Sequence, residues 1–350
     1  MIQDKESDKT LWTVESGDVS VDQSEVLRLW TAGFPEAEGL AEKYEWFYKN
    51  TQSNQAQLYF LKHDENNIGV LGIGARDLRY SEDVVRGGLL VDLTVDPAYR
   101  SIGPALKFIR GVIVQENLGM QVLYGFPNKR SFLIYKRVGF TNLGKLVRYA
   151  KVICYAQHIR KYSKFAALVF GNIIDRLSIT YGSLVDRRLL KRYECVTQEG
   201  LPAGIDDFFD SVKESSFGLK RDQAFLKWRF VENYRYKFSF FVMKERENGQ
   251  LQGYICYRVG PSGGVIVEDF YASDNTATLK ALFQMFSQRM RKLGYRTVSL
   301  EFFGCTDVKA VLRSLGFMRR DEEPVIFWSP QNEESLKDAE RWYITTADRD

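Results

Sequence analysis

The most informative stretch of the sequence is Val95-Asp96-Pro97-Ala98-Tyr99-Arg100-Ser101-Ile102-Gly103-Pro104-Ala105-Leu106. It indicates the fold because it connects a predicted strand to a predicted helix through a glycine. Such a junction leaves the first backbone N–H groups of the helix unpaired, and the helix dipole adds partial positive charge there. Arg100 contributes a full positive charge to the same turn. The stretch therefore predicts an anion site that would fit a phosphate. It matches neither the P-loop nor the Rossmann glycine pattern.

The residues before this junction have strand patterns. Residues 57–62 and 68–76 are rich in β-forming residues and flank the turn residues 64–67, so they predict a hairpin. Residues 89–95 alternate in the way that a half-buried strand does. The two predicted faces of that strand are Leu89, Val91, Leu93 and Val95 on one side and Leu90, Asp92 and Thr94 on the other. The polar groups therefore belong to the second face.

The residues after the junction predict helix, strand and helix. Apolar residues recur at helical spacing from Pro104, which suits the first position of a helix because no N–H is required there. Residues 121–124 predict a short strand, and residues 131–138 predict a second helix that ends at Gly139. A hairpin followed by this succession is typical of an α/β arrangement.

Parts of the sequence repeat at a spacing of 177 residues. Asp92 lies in the string VDLTV and Asp269 in the similar string EDFYA, and the two aspartates are separated by this spacing. The glycine–phenylalanine pairs at 139–140 and 316–317 have the same separation. Several similar pairs in the same order favour duplication over coincidence, so we expect two related domains.

A second motif lies on the second predicted helix. It is Asn128-Lys129-Arg130-Ser131-Phe132-Leu133-Ile134-Tyr135-Lys136-Arg137-Val138-Gly139-Phe140. It resembles the N-x-x-A-x-x-x-Y-x-x-x-G-F element of the GCN5-related N-acetyltransferase (GNAT) superfamily, and Arg100-x-x-Gly103-x-Ala105 resembles the pyrophosphate loop of the same family. The resemblance covers roughly residues 10–150 by motif and roughly 195–330 by the repeat alone. It implies an α/β (α+β) fold of two tandem GNAT-like domains, each a mixed, mainly antiparallel sheet flanked by helices.

The resemblance also implies an acyl-CoA site, and acetyl-CoA or another acyl-CoA as co-substrate. The implied cofactor-binding residues are Leu93, Thr94, Val95, Arg100, Ser101, Ile102, Gly103, Ala105, Asn128 and Ser131. Tyr135 is implied to protonate the departing CoA thiolate, and Asp92 is our candidate for orienting the acceptor amine or accepting its proton. Plainer interpretations remain open: Tyr135 at the edge of the core, Asp92 in a local pair, and Arg100 as a solvated charge. Two departures from the family loop would weaken binding, because Ser101 replaces the usual glycine and Pro104 removes one N–H.

The second repeat lacks these residues. At the spacing of 177, Arg100 corresponds to Ala277, Gly103 to Lys280, Asn128 to Cys305 and Tyr135 to Leu312. We therefore expect a degenerate domain in which Asp269 is structural and Cys305 is a buried, unreactive thiol. Trp46 and Trp228 lie at equivalent points, and we interpret both as core anchors rather than substrate platforms. The predicted units are a GNAT domain with the acyl-CoA site (1–155), a basic helical linker (156–192), a degenerate GNAT-like domain (193–330) and a C-terminal tail (331–350).

Positive charge is concentrated between the repeats. Residues 151–192 contain nine Lys or Arg and two Asp, whereas the net charge of all 350 residues is only +4. This small excess argues against a specific nucleic-acid binder. We expect the linker helix to pack between the domains, and contact with an anionic membrane surface is the alternative.

Cysteine and histidine usage limits the compartment and the chemistry. The four cysteines are scattered without a C-x-x-C pair, and the polar first residues lack the apolar core of a signal peptide. These features predict a cytoplasmic protein. No apolar run reaches the length of a membrane span. The two histidines are far apart, so we expect no metal site.

The leading functional hypothesis is an N-acyltransferase that moves an acetyl or other acyl group from acetyl-CoA to the primary amine of a small molecule. Two features resemble bacterial acetyltransferases encoded with surface-polysaccharide genes. They are the tandem domains and the final segment Arg341-Trp342-Tyr343-Ile344-Thr345-Thr346-Ala347-Asp348. That resemblance implies an amino sugar or a carrier-linked sugar as acceptor. One alternative is an aminoacyl transferase of the peptidoglycan-bridge type, although no sustained heptad region is present. Another is a non-catalytic acyl-CoA-binding or scaffold protein. The sequence does not determine the oligomeric state.

Overall fold

A computed structural model gives the three-dimensional structure of this chain. It describes residues 12–51, 56–80, 83–115, 119–155, 189–212, 216–273, 276–330 and 334–350. The predicted linker falls almost entirely on residues 156–188, which lie outside the described residues. Each helix within the described residues is too short or too polar to span a lipid bilayer.

Fourteen strands among the described residues form one sheet. The strands are β1 (Trp12–Gly17), β2 (Gln57–His63), β3 (Asn66–Tyr80), β4 (Asp83–Val95), β5 (Val122–Gly125), β6 (Thr141–Val152), β7 (Tyr193–Gln198), β8 (Phe217–Leu219), β9 (Ser239–Glu245), β10 (Leu251–Val259), β11 (Val265–Ala272), β12 (Thr297–Gly304), β13 (Met318–Trp328) and β14 (Trp342–Thr345). The main path through the sheet is β1-β2-β3-β4-β5-β13-β6-β12-β11-β10-β9-β7, with β8 and β14 beside it. Most neighbours are antiparallel, whereas the β4–β5, β11–β12 and β8–β14 pairs are parallel. The expected mixed, mainly antiparallel architecture is confirmed.

Helices cover the sheet and repeat in the same order. They are α1 (Gln23–Gly33), α2 (Leu40–Tyr44), α3 (Ile102–Ile113), α4 (Lys129–Val138), α5 (Ile205–Ser211), α6 (Gln223–Leu226), α7 (Thr276–Lys292) and α8 (Thr306–Ser314). Single π turns, Glu45–Lys49 and Lys227–Val231, follow α2 and α6. Shifting α4 and β6 by 177 residues gives the start of α8 and of β13, so the structure confirms the internal repeat.

The two repeats exchange their closing strands. β13, the last main strand of the second repeat, lies between β5 and β6 of the first repeat. β6, in turn, lies between β13 and β12. Each repeat therefore receives a strand from the other, and the sheet is continuous from β1 to β7. The boundaries at 155 and 193 stay a prediction.

Trp46 and Trp228 join the repeats at the centre of the molecule. Their rings stack with centroids 4.6 Å apart and planes inclined by 5°. The indole N–H of each tryptophan donates to the backbone carbonyl of the other, both at 3.0 Å. Both side chains are buried. Their interpretation as core anchors is confirmed, and the symmetric contact explains why both repeats keep the residue.

A bulge in β4 corrects the predicted alternation of residues 89–95. The register against β3 shifts between the pairs Val70–Thr94 and Gly72–Val91, and Asp92 has a left-handed backbone with φ of 55°. Because an extra residue is inserted, the two faces change over at this point. Leu93 packs with Leu90 on the α3 side, whereas Asp92 faces α2 together with Val91. The expected grouping of Leu93 with Leu89 and Val91 was wrong.

Candidate active site

A wedge opens between β4 and β5 in the first repeat. The two parallel strands pair only from Gly87 to Leu89 of β4. β5 ends at Gly125, whereas β4 continues through the bulge to Val95. Within the described residues, this leaves the last part of β4 without a strand on its β5 side. A wedge of this kind can admit an extended ligand whose polar groups bond to the β4 backbone.

The predicted anion loop lies at the end of the same strand. α3 begins at Ile102, two residues earlier than expected, so Pro104 is the third helical residue rather than the first. Ser101 is the N-cap residue, but its side chain makes no capping hydrogen bond. A Cβ added to Gly103 would meet only the Ser101 hydroxyl, at 3.9 Å, so the space above the first turn is open. The amides of Ile102, Gly103 and Ala105 can therefore receive an anion, and Pro104 has no N–H to offer.

Arg100 ties this loop to the rest of the repeat. Its Nε donates to the Val95 carbonyl at 3.0 Å, and its Nη2 donates to the Gly33 carbonyl at 3.1 Å. The side chain is exposed, and its charge remains beside the start of α3. Arg100 thus holds the loop in place through hydrogen bonds and also contributes positive potential to it. Because the Val95 carbonyl accepts this bond, it is less free to bind a ligand than the sequence alone indicated.

Thr94 and Leu93 have mainly packing contacts. Thr94 is buried against Gly33 at the end of α1, so closely that a Cβ on that glycine would overlap the threonine hydroxyl. Leu93 is partly buried against the helix-side core. Their backbone groups, rather than their side chains, border the wedge.

The second motif forms the start of α4 on the far side of the wedge. The Asn128 side chain accepts hydrogen bonds from the backbone N–H groups of Arg130 and Ser131, at 2.9 and 3.0 Å, and caps the helix. The Ser131 hydroxyl bonds back to Asn128. Asn128 is exposed, so the cap does not exclude a ligand contact. Gly139 ends the helix with φ of 114°, a conformation that favours glycine.

Tyr135 combines features of both interpretations considered from the sequence. Its ring is buried and packs edge-on against Phe140, with centroids 5.0 Å apart. Burial raises the pKa of Tyr135 well above its usual range, so the phenol stays protonated at neutral pH. Its hydroxyl makes no hydrogen bond to any residue that the structure describes. The tyrosine is therefore a core residue that still has a proton to donate.

Asp92 lies at the centre of a charged cluster. One carboxylate oxygen accepts a hydrogen bond from Lys43 Nζ at 2.6 Å, and the other accepts one from the Tyr48 hydroxyl at 2.8 Å. Lys43 also donates to the Asp350 carboxylate at 2.6 Å. Lys43, Tyr48, Asp92 and Asp350 are called the Asp92 cluster below. Lys43 comes from α2, Tyr48 from the π turn after it, and Asp350 from the end of the chain.

Burial and neighbouring charge shift the pKa values of the two carboxylates of the cluster in opposite directions. Burial raises the pKa of Asp92, and the opposing effect of Lys43 does not cancel this. Burial acts to raise the pKa of Asp350 as well, but there the Lys43 ammonium outweighs it and the net pKa is lowered. For Lys43, burial acts to lower the pKa, and the two carboxylates raise it above its usual range instead. Lys43 is therefore a cation, and Asp92 is the weaker acid of the two carboxylates.

The sequence did not identify Lys43, Tyr48 or Asp350 as site residues. Tyr48 belongs to an aromatic run that gave only a core signal, and its hydroxyl lies over Gly72, where a Cβ would overlap it. Lys43 and Asp350 are 307 positions apart, so no local pattern could relate them. Gly72 gave one indirect signal for Tyr48, because a glycine in the middle of a strand often marks a close approach by another group.

The corresponding wedge of the second repeat is filled. β11 and β12 pair in parallel only up to Val267 and Leu300, as β4 and β5 do. β14 then pairs with the rest of β12, and the Tyr343 hydroxyl donates to the Phe270 carbonyl on β11 at 2.7 Å. A strand of the chain itself thus occupies the space that stays open in the first repeat.

The second repeat also has a charged cluster around its own aspartate. Asp269 accepts hydrogen bonds from Arg221 at 3.0 Å and from the Tyr254 hydroxyl at 2.6 Å. Arg221 bonds to Asp348 at 2.8 Å. Arg221, Tyr254, Asp269 and Asp348 are called the Asp269 cluster below. Every member is buried, which agrees with the expected structural role of Asp269.

Two further expectations concern cysteines and metals. Cys305 is the N-cap residue of α8, equivalent to Asn128, and it is half-buried rather than fully buried because it borders an open cavity beside Tyr343. Among the described residues, no three His, Cys, Asp or Glu side chains lie close enough together to hold a metal ion.

Solved structures share this architecture over most of the chain. A GCN5-related N-acetyltransferase from Anabaena variabilis has a TM-score of 0.62 at 11% identity, and the match covers 91% of this chain and 72% of that one. A second, from Kribbella flavida, has a TM-score of 0.56 at 13% identity, with 90% and 71% covered. A GCN5-related glucosamine N-acetyltransferase region in a fungal multi-domain β-N-acetylglucosaminidase has a TM-score of 0.56 at 9% identity, with 91% and 38% covered. No protein-family model and no curated protein matches the sequence.

Proposed function

Because this chain has the fold of the GCN5-related N-acetyltransferases, we propose that it is an N-acyltransferase that moves an acetyl group from acetyl-CoA to a primary amine. The observation that supports this most is the combination found in the first repeat. There an open wedge, an uncapped helix start and a half-buried aspartate cluster border the same strand, β4. In the second repeat the wedge is filled, so one acyl-CoA site per chain is expected.

The residues of the loop fit the diphosphate of CoA. The amides of Ile102, Gly103 and Ala105 would bind its oxygens, with Arg100 supplying positive charge beside them. The open space above Gly103 leaves room for the anion. The backbone of residues 93–95 would bind the pantetheine arm along the wedge. When bound, the co-substrate supplies an activated acyl group as a thioester.

Tyr135 and Asp92 would handle the two protons of the reaction. The buried phenol of Tyr135 keeps its proton at neutral pH, so it can protonate the leaving thiolate. An amine must lose its proton before it attacks, and Asp92 would accept that proton directly or through water. Both of its carboxylate oxygens accept hydrogen bonds from Lys43 and Tyr48, so one of these bonds would have to give way to the proton. Burial favours the protonated form of Asp92, which increases its strength as a base.

The acceptor that we propose is a hydrophilic amine such as an amino sugar or a carrier-linked amino sugar. The glucosamine N-acetyltransferase region with this fold supports such an acceptor. The polar Asp92 cluster supports it too, because a hydrophobic acceptor would gain little from two carboxylates and a lysine.

The decisive experiment is thiol release from acetyl-CoA by the purified protein, measured with a panel of primary amines that includes glucosamine. Acetyl-CoA should also raise the melting temperature, because a ligand that binds only the folded state stabilises it. Thiol release that depends on an amine supports the proposal. A melting shift without turnover on any amine would instead identify a non-catalytic acyl-CoA-binding protein.

A further inference from the structure

The end of the chain connects the two repeats at their equivalent sites. β14 fills the wedge of the second repeat, and Asp348 belongs to the Asp269 cluster there. Two residues later, Asp350 belongs to the Asp92 cluster of the first repeat. Arg349, between them, bonds to Glu301 and Glu323, both at 2.8 Å, and lies over the ring of Phe126. This anchoring holds residues 349 and 350 next to the end of β5, at the mouth of the open wedge.

The two carboxylates of the Asp92 cluster differ in what they can offer to a ligand. Both oxygens of Asp92 already accept hydrogen bonds, and only 9% of its side chain is exposed. Asp350 bonds to Lys43 through one oxygen, and 35% of its side chain is exposed. A molecule that enters from solvent therefore meets Asp350 first.

The charge of the cluster favours a cation. One lysine and two ionised carboxylates give a net charge of minus one, which a single ammonium group would neutralise. Among the surrounding cations, Arg349 pairs with Glu301 and Glu323. Two further arginines are buried behind the cluster without a carboxylate partner among the described residues: Arg229 donates to the Thr346 carbonyl and lies over Trp46, and Arg76 lies over Phe47 and Trp228. The side of the cluster that faces solvent is acidic, because Asp350 is its most exposed charged group and bonds to Lys43 through one oxygen.

We propose that Asp350 binds the ammonium group of the acceptor and delivers it to Asp92, so that a residue from the end of the chain completes the acceptor site of the first repeat. Lys43 acts as a positioning residue, because it holds both carboxylates. The inference rests on the proposed acyltransferase function and narrows its substrate class to amines that arrive as cations.

The test compares a cationic with an uncharged nucleophile in the full-length protein. Asp350→Asn preserves the size of the side chain and removes its charge. With glucosamine, the KM for the amine should rise about tenfold, the factor expected when a charged hydrogen bond becomes neutral. With hydroxylamine, which is uncharged near neutral pH, the KM should change little, and the KM for acetyl-CoA should not change. Asp321→Asn is the matched control, because it neutralises an exposed aspartate paired with Arg148.

The outcomes separate this inference from the proposed function. A rise in KM for glucosamine but not for hydroxylamine supports the role of Asp350. Equal changes for both nucleophiles, or no change for either, would overturn it and leave the acyltransferase assignment standing. Absence of thiol release by the wild-type protein with every amine tested would overturn the acyltransferase assignment and this inference together.

Discussion

The Asp92 and Asp269 clusters have the same plan in different surroundings. In each, an aspartate on the bulged strand accepts a tyrosine hydroxyl and pairs with a cation, and that cation bridges to a second aspartate from the end of the chain. The cation is Lys43 in the first repeat and Arg221 in the second. The clusters are therefore chemically equivalent, and their composition does not explain why only one is a candidate site.

Access to solvent distinguishes them. The side chains of Arg221, Asp269 and Asp348 are at most 2% exposed, and β14 closes the wedge beside them. Lys43 and Asp350 are 17% and 35% exposed, beside an open wedge. The same arrangement of charged groups is therefore sealed in the core in the second repeat and accessible to solvent in the first, where we propose that it binds the acceptor.

The two tyrosines also show how the repeats have diverged. Tyr48 comes from the π turn after α2 and Tyr254 from β10. Trp46 and Trp228 are 182 positions apart, and at that spacing Tyr254 corresponds to Gly72, the glycine over which the Tyr48 hydroxyl lies. Each repeat thus places a hydroxyl at the same point, from different elements.

The largest effect that we expect is on the free energy of unfolding, which should fall more when the cation of the Asp269 cluster is removed than when that of the Asp92 cluster is removed. Arg221→Met would leave Asp269 and Asp348 buried without their cation, and we expect the free energy of unfolding to fall by about 3–5 kcal/mol. Lys43→Met should cost less, about 1–2 kcal/mol, because water can reach Asp350 and Asp92 keeps its hydrogen bond from the Tyr48 hydroxyl. Urea unfolding of both variants measures the difference. Equal losses would contradict the distinction between a sealed and an accessible cluster.

The second prediction concerns turnover in the first repeat. Tyr135→Phe should lower kcat by about 10²–10⁴, with little change in the KM for acetyl-CoA, because the ring remains and only the proton donor is lost. Tyr59→Phe is the matched control, since Tyr59 lies in the same apolar cluster and bonds to Gln57. If both variants keep wild-type turnover, Tyr135 is a core residue only.

The third prediction compares the two loops. Gly103→Asp places a carboxylate at the open start of α3 and should abolish the stabilisation by acetyl-CoA, about 2.7 kcal/mol at 100 times its Kd in the wild type. Lys280→Asp makes the equivalent change in the second repeat, at an exposed position, and should leave the melting shift intact. A shift that survives Gly103→Asp and disappears in Lys280→Asp would place the ligand in the second repeat.

The smallest expected effect is on pH dependence. The negative charge of Asp350 contributes to the raised pKa of Asp92, so Asp350→Asn should lower that pKa. Because Asp92 must be ionised to accept a proton, the acidic limb of kcat/KM should move to lower pH. The limb is measured with a nucleophile that stays uncharged throughout that pH range, so that neither its own ionisation nor binding to Asp350 affects the limb. A limb that moves to higher pH, or stays in place, would show that Asp92 is not the titrating base.

The local features of the candidate site could be predicted from the sequence. The repeat spacing predicted two related domains, and α8 and β13 do begin 177 residues after α4 and β6. The glycine at 139 marked the end of α4, because only local backbone preferences are involved. The loop at 95–106 was recognisable because a strand, a turn and a helix start follow one another in sequence. The absence of its residues from the second repeat was equally visible.

Tertiary structure alone decided which groups meet and which are sealed. The exchange of β6 and β13, the bulge that turns Asp92 toward α2, and the contact of Lys43 with Asp350 depend on residues far apart in the chain. The filling of the second wedge by β14 depends on a segment that its own sequence predicts only as a tail. Such contacts form only when the whole sheet packs. The free energy of a contact between two distant residues depends on the pairing of every strand that lies between them.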